Sequence, residues 1–322
     1  MKKAIFFFAA VLLISSCKKD EDVCETARYV DDIFTETKRI NITYGKAINV
    51  SGQEVSLSMD IYQPVGDEFE ERAVIIFAHG GSFVGGGRLD MQAICQASAK
   101  KGYVAASIDY RLLSISGGVP DSTKLADIVI KASQDMKAAV RFFRKSETDG
   151  NVYKIDPDNI YIGGVSAGAI TALHAGLMDD SDPLPAYVKK VIADNGGLKG
   201  TSGTADALNF SSDVKGILNM SGAIISPSIL DAKDPAIYSF HGDKDDVVPF
   251  DFGFSFVGPI PIIGVYGSNR INEAAKKVGI PSTLTVVPGG GHANIYLEER
   301  FRTQLDAFTK LAFTSLKGQV CN

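Results

Sequence analysis

Residues Gly164-Val165-Ser166-Ala167-Gly168 put a serine at the centre of a Gly-x-Ser-x-Gly run. Before it, Ile160-Tyr161-Ile162 is a β-branched and aromatic stretch that reads as a buried strand. After it, Ala167 to Met178 has helix character. A serine on so tight a strand-to-helix turn takes strained backbone geometry, so the residues two before and two after it must be small. Such a turn lifts the hydroxyl clear of a sheet and sets it at a helix N-terminus, where backbone N–H groups favour developing negative charge. That is the setting of an activated nucleophile. The plainer alternative is a glycine-rich turn with an exposed serine.

An activated serine needs a base, a group that orients the base, and donors for an oxyanion. Four histidines are available. His79 opens the glycine-rich run Gly80 to Gly87. His174 lies about two turns into the helix after Ser166, where it should be held away from the active face in a structural role. His241 follows a strand directly and reads as a turn-packing residue. His292 remains, in Pro288-Gly289-Gly290-Gly291-His292-Ala293, where glycines let an imidazole reach across the top of a sheet. It is the expected base. The orienting acid should follow a strand between Ser166 and His292, and Asp243, Asp245 and Asp246 all qualify.

The elements that must position these groups alternate in type. Arg39 to Gln63 reads as two antiparallel strands turning near Ser51-Gly52. Ala73 to Ala78 and Tyr103 to Ile108 are continuous apolar runs, as in strands covered on both faces. Met91 to Lys101 and Lys124 to Lys145 have helical periodicity. Further strands are expected at 214–220, 236–240 and 283–287, and helices at 272–278 and 295–316. Strands alternating with helices of this length imply an α/β fold with a mostly parallel central sheet and helices on both faces.

Four features in this order carry a family resemblance: His79-Gly80-Gly81, then Ser107-Ile108-Asp109-Tyr110-Arg111-Leu112, then Asp156-Pro157 through Ala169, then the turns holding Asp245 and His292. From about Val55 to Leu316 the chain resembles α/β-hydrolase carboxylesterases. Residues 241–249 resemble the family's His-Gly-x-x-Asp-x-x-Val-Pro turn, which puts the triad acid on Asp245. The resemblance also implies oxyanion donors at the N–H groups of Gly80, Gly81 and Ala167, and a structural role for Asp109 and Arg111. It implies no metal and no organic cofactor. Small esterases that remove acetyl or feruloyl groups from plant polysaccharide are the nearest in kind, so the expected substrate is a small-molecule or polysaccharide-linked ester. The chain departs from the nearest groups at Val165, where an acidic residue is usual, and at Ala169, where glycine is usual. Phe250 to Gly267 is an apolar insertion between acid and base. It could wall a pocket, join the core or face a membrane.

The first residues read as an export signal. Met1-Lys2-Lys3 is basic, Ala4 to Ile14 is apolar, and Leu13-Ile14-Ser15-Ser16-Cys17 resembles a bacterial lipobox. Lys18 to Asp22 is a charged tether. The expected division is a signal peptide at 1–16, a lipidated N-terminus and tether at 17–35, and an α/β-hydrolase domain at 36–322. Cys17 would carry the lipid, anchoring the exported protein to the bacterial outer membrane with the lipid as its only membrane contact. Export means an oxidising compartment, so Cys24 and Cys321, near the two chain ends, are expected to form a disulfide, leaving Cys95 as a buried thiol. A net charge of -5 with mixed signs argues against a nucleic-acid partner. Two rival readings are a serine peptidase resembling prolyl oligopeptidase catalytic domains, and a binding module on a hydrolase scaffold that has lost its chemistry.

Overall fold

The computed structural model describes residues 23–114, 120–257 and 260–321, so the signal peptide and the lipidation site Cys17 lie outside the described residues. The chain opens with the antiparallel pair β1 (Thr37–Ile48) and β2 (Glu54–Pro64), then β3 (Arg72–Ala78), α1 (Gln92–Lys100) and β4 (Val104–Ile108). The long α2 (Ser122–Thr148) leads into β5 (Ile155–Val165), α3 (Ala167–Leu177) and α4 (Ala186–Asp194). There follow β6 (Gly216–Met220), β7 (Ala223–Ile224), β8 (Ala236–Gly242), β9 (Phe252–Val257) and β10 (Ile260–Gly267). The chain closes with α5 (Ser268–Val278), β11 (Ser282–Val287), α6 (Asn294–Leu297) and α7 (Arg302–Val320).

Eight strands form one sheet in the order β1-β2-β4-β3-β5-β6-β8-β11. Only β2 runs against its neighbours; from β4 to β11 every pairing is parallel. Alternation along β3 shows why its whole length is apolar. Val74, Ile76 and Ala78 pack with α2 and α3 on one face, while Ala73, Ile75 and Phe77 pack with α1 and α7 on the other. Because the strands are parallel, the C-terminal ends of β3, β5, β8 and β11 share one edge of the sheet. That edge is where an open α/β sheet builds its site.

The expected α/β-hydrolase architecture is present, with local departures. Residues 154–158, read as a turn, include the start of β5, which bulges between Arg72 and Val74 of its partner. The closing helix is split by a 3₁₀ turn at Glu299–Phe301. Three features lie outside the predicted set: α4, the short strand β7, and the β9–β10 hairpin, which joins β7 in a separate three-stranded sheet.

The expected boundary between tether and domain at residues 35 and 36 is corrected. Tyr29 is fully buried, and its hydroxyl accepts a hydrogen bond from Ala73 N–H at 2.9 Å. Arg28 is buried in a two-pronged pair with Asp67, at 3.0 and 2.6 Å. Residues 23–36 are therefore part of the folded body.

Cys24 and Cys321 form a disulfide across a sequence separation of 297, and Cys95 is buried and free. In a protein starting after Cys17, thiol titration in denaturant should count one thiol without reductant and three with it. A count of three without reductant would contradict the bridge. Closing so long a loop restricts the unfolded chain, so Cys24→Ser should lower stability by up to about 5 kcal/mol in chemical denaturation.

Candidate active site

The serine turn is set by close packing around two glycines. A Cβ on Gly168 would lie 2.0 Å from the Ala78 carbonyl oxygen, and one on Gly164 would lie 2.4 Å from the Gly168 carbonyl carbon. Only glycine lets α3 approach β3 and β5 this closely. Between them Ser166 has φ 57° and ψ -121°, a backbone conformation that L-residues rarely adopt. Its N–H donates to Met220 O at 2.9 Å, which ties the turn to the end of β6. Ser166 also stands at the N-cap of α3 but makes no side-chain cap. A serine there ordinarily accepts from the first-turn amides. Here the hydroxyl is directed elsewhere, and the amide dipoles at that helix end stay available.

The hydroxyl meets His292. Ser166 Oγ lies 2.9 Å from His292 Nε2, and His292 Nδ1 lies 2.7 Å from Asp245 Oδ2. With Nδ1–H donating to the carboxylate, Nε2 is the acceptor for the serine proton. The three residues follow the ends of β5, β8 and β11. Since β11 lies three strands from β5, His292 must reach back over roughly 14 Å of sheet. Its loop crosses close over the acid turn: a Cβ on Gly242 would lie 2.2 Å from Gly290 O. Lys244 N–H donates to Gly290 O at 2.8 Å, and Gly289 N–H donates to Asp243 Oδ1 at 2.7 Å. Of the three candidate acids, Asp245 therefore meets His292, Asp243 staples the two loops together, and Asp246 is exposed.

Asp245 is held by more than His292. Its Oδ1 accepts from Val247 N–H at 2.9 Å and Val248 N–H at 2.8 Å, and its Oδ2 lies 3.1 Å from His241 Nε2. Burial alone would raise this carboxyl. The hydrogen bonds from His241 and His292, with the backbone donors, outweigh it and hold the group well below the usual carboxylate range. The turn-packing reading of His241 is thus corrected. His241 is fully buried, and its Nδ1 lies 2.7 Å from Ser268 Oγ. Ser268 Oγ in turn accepts from Asn219 Nδ2 at 2.9 Å. Its one signal in the sequence was its place four residues before Asp245 on a strand end; Ser268 and Asn219 carried none.

The His79 loop passes directly beside the serine. A Cβ on Gly80 would lie 3.5 Å from Ser166 Cβ. Gly81 has φ 116°, and any side chain there would strike Gly85 O at 2.2 Å. His79 itself is buried, stacked on Tyr110 at 4.4 Å, and stays out of the serine's hydrogen bonds. The Tyr110 hydroxyl donates to His79 O at 2.7 Å and pins the loop base. Arg111 pairs with buried Asp135 on α2, at 2.9 Å, away from Ser166 and His292. Among the described residues, no group of three or more His, Cys, Asp or Glu side chains is placed to hold a metal ion.

Ser166 opens into a cavity of about 310 Å³. The helices α2 and α3 form one side, through residues such as Val129 and Ile170. The hairpin forms another, through Ser255, Ile263 and Val265. Of the three roles expected for Phe250 to Gly267, this is the pocket wall; Phe252 and Phe254 on its outer surface are exposed. His174 lines the same cavity, so the expectation that it faces away from the site is corrected. It is nonetheless held within the protein frame: Nδ1 lies 2.8 Å from Ile170 O, and Nε2 accepts from Ile225 N–H at 3.3 Å.

Burial pushes the His174 imidazole down to about 4 from 6.5. A histidine that stays neutral when folded but protonates when unfolded costs nothing above pH 6.5, where both states are neutral. As the pH falls from 6.5 toward 4 the unfolded state gains the proton first, and stability drops. Urea unfolding should show wild type losing on the order of 3 kcal/mol over that window beyond what His174→Leu loses. Equal losses in the two proteins would contradict this assignment.

Known proteins share this fold. Esterase 2 of the planctomycete Thermogutta terrifontis, with propionate bound, superposes with a TM-score of 0.59 at 21% identity, covering 86% of this chain and 93% of that one. Its butyrate-bound form gives 0.59 at 20%, covering 84% and 92%. The form phosphoramylated by tabun gives 0.61 at 21%, covering 86% and 93%. These likenesses show a shared α/β-hydrolase fold. The sequence profile of the BD-FAE family matches residues 59–257, well over half the chain, and so the chain belongs to the BD-FAE family of α/β-hydrolase esterases.

Proposed function

We propose that this protein hydrolyses carboxylic esters through an acyl-enzyme on Ser166, with His292 as general base and Asp245 as its orienting acid. The observation that carries this reading is the unbroken hydrogen-bond line Ser166–His292–Asp245 at the mouth of a cavity. Ser166 Oγ attacks the ester carbonyl carbon and its proton passes to His292 Nε2. The carbonyl electrons move onto oxygen, where the N–H groups of Gly80, Gly81 and Ala167 are the proposed donors. Collapse of that intermediate breaks the bond to the alcohol, which leaves with the proton from His292. Water, deprotonated by the same imidazole, then releases the acid and restores the serine. Asp245 keeps its charge throughout and holds Nδ1–H, so that Nε2 faces the serine. The Thermogutta terrifontis esterase with bound propionate, and its tabun adduct, accord with this chemistry.

Export and anchoring through Cys17 form part of the proposal. The Cys24–Cys321 bridge supports export, because disulfides persist in oxidising compartments. An acylated polysaccharide stays the proposed alcohol side on resemblance alone.

The test is steady-state hydrolysis of p-nitrophenyl esters beside p-nitroanilides of the same acids. Ser166→Ala and His292→Ala should each lower kcat by up to roughly a million-fold, and Asp245→Asn by roughly ten-thousand-fold. The double replacement should cost little more than either single one, since the residues act as a unit. Folded mutants retaining the wild-type rate would sink the assignment, and faster anilide than ester turnover would favour a peptidase.

A further inference from the structure

Three residues of α3 and its C-cap line the cavity beside Ser166: Ala167, Ile170, His174 and, at the cap, Met178. Their spacing is one stripe of a helix, so the cavity follows the helix from its N-terminus to its C-cap, roughly 16 Å at 1.5 Å per residue. The facing stripe on α2, including Leu125 and Val129, is apolar. The site is therefore a slot that begins at the nucleophile and runs lengthwise between two helices.

Apart from Ser166 and the exposed Ser82, its lining carries two polar side chains, His174 and Ser255, and both are engaged inside the protein. His174 uses both ring nitrogens, as described above, and turns carbon toward the slot. Ser255 Oγ donates to Ile263 O at 3.4 Å within the hairpin. A hydroxyl or methoxyl pushed into the slot would exchange water for no partner, which is costly for a buried polar group. A saturated chain meets no such cost. An acetyl group would leave most of the slot unfilled and forgo the burial that the apolar walls offer.

We propose that the acyl group this enzyme selects is an unsubstituted aliphatic chain of about six to ten carbons, lying between α2 and α3, and neither an acetyl nor a hydroxylated aromatic acyl group. The length rests on the run of the slot along the helix: an extended chain with C–C bonds near 1.5 Å advances roughly 1.3 Å per carbon, so ten carbons fit within it. The carbonyl would sit at Ser166, the chain would run past Ile170 and His174, and the alcohol would face the open side by Ser82 and Val84. This inference rests on the ester-hydrolase reading and adds the acyl class to it.

The experiment measures kcat/KM for p-nitrophenyl acetate, butyrate, hexanoate, octanoate, decanoate and dodecanoate, with methyl ferulate alongside, using the protein lacking residues 1–17. Each methylene buried should raise kcat/KM by up to roughly fourfold. We expect at least a hundredfold rise from acetate to an optimum at hexanoate to decanoate, with methyl ferulate below butyrate. Val129→Phe, placed to narrow the slot midway, should shift the optimum of the series to shorter chains, lowering the octanoate-to-butyrate ratio of kcat/KM at least tenfold. Competitive inhibition of acetate hydrolysis by sodium octanoate, stronger than by sodium butyrate, would support the slot without reliance on any variant. If acetate or methyl ferulate is the best substrate, or butyrate inhibits better than octanoate, the acyl-chain inference falls while ester hydrolysis stands. If no ester in the series is cleaved by folded protein, the ester-hydrolase reading falls and takes this inference with it.

Discussion

The contact on which the rest depends is the one between the Ala78 carbonyl and Gly168. A helix that packs with its second residue against the backbone of the neighbouring strand leaves no room for a side chain there. It also forces the preceding turn into a conformation that only the surrounding structure can hold. Ser166 accepts that strain at φ 57°, on the order of 1–3 kcal/mol, and its hydroxyl projects from the sheet edge in return. The buried parallel sheet, covered on both faces, is what can hold such strain. Its cost is spread over a core that includes all of β3.

Around this fixed serine the other two members are held in graded fashion. Asp245 is locked by two backbone donors and by His241, itself fixed through Ser268 and Asn219. Its side chain is wholly buried, whereas that of His292 is 17% exposed and sits on a glycine-rich loop. That gradient suits the chemistry assigned to them. The acid must keep its charge and position, while the imidazole must exchange protons with hydroxyl, alcohol and water in one turnover. A single His241–Asp245 contact would serve the acid poorly if the His241 ring could rotate, and the Ser268 hydroxyl on its far nitrogen restrains that rotation.

Much of this was legible in the sequence because it is local. Gly164, Ser166 and Gly168 encode a turn that few other residues permit, and the glycines before His292 encode a loop that must pass over a strand end. The apolar runs at Ala73 to Ala78 and Tyr103 to Ile108 read correctly as strands covered on both faces. What escaped was set by tertiary contact. His241 reads as packing because its far-side partner Ser268, and the Asn219 that donates to Ser268, come from a distant helix and strand. His174 reads as remote because two helical turns suggest distance from the serine, yet a slot parallel to the helix brings both into one cavity. The Phe250 to Gly267 segment carries strand residues, but its pairing with β7 and its role as a wall depend on where β7 lies. Arg28 and Tyr29 look like part of a charged leader until their partners Asp67 and Ala73 are known.

The most direct measurement of the central claim is covalent capture of the nucleophile. The protein would be treated with a fluorophosphonate, digested, and mapped by tandem mass spectrometry, with His292→Ala treated in parallel. The account requires one adduct, on the peptide containing Ser166, formed rapidly in wild type and far more slowly once the imidazole is removed. An adduct on a different serine, or labelling at equal rates with and without His292, would contradict it.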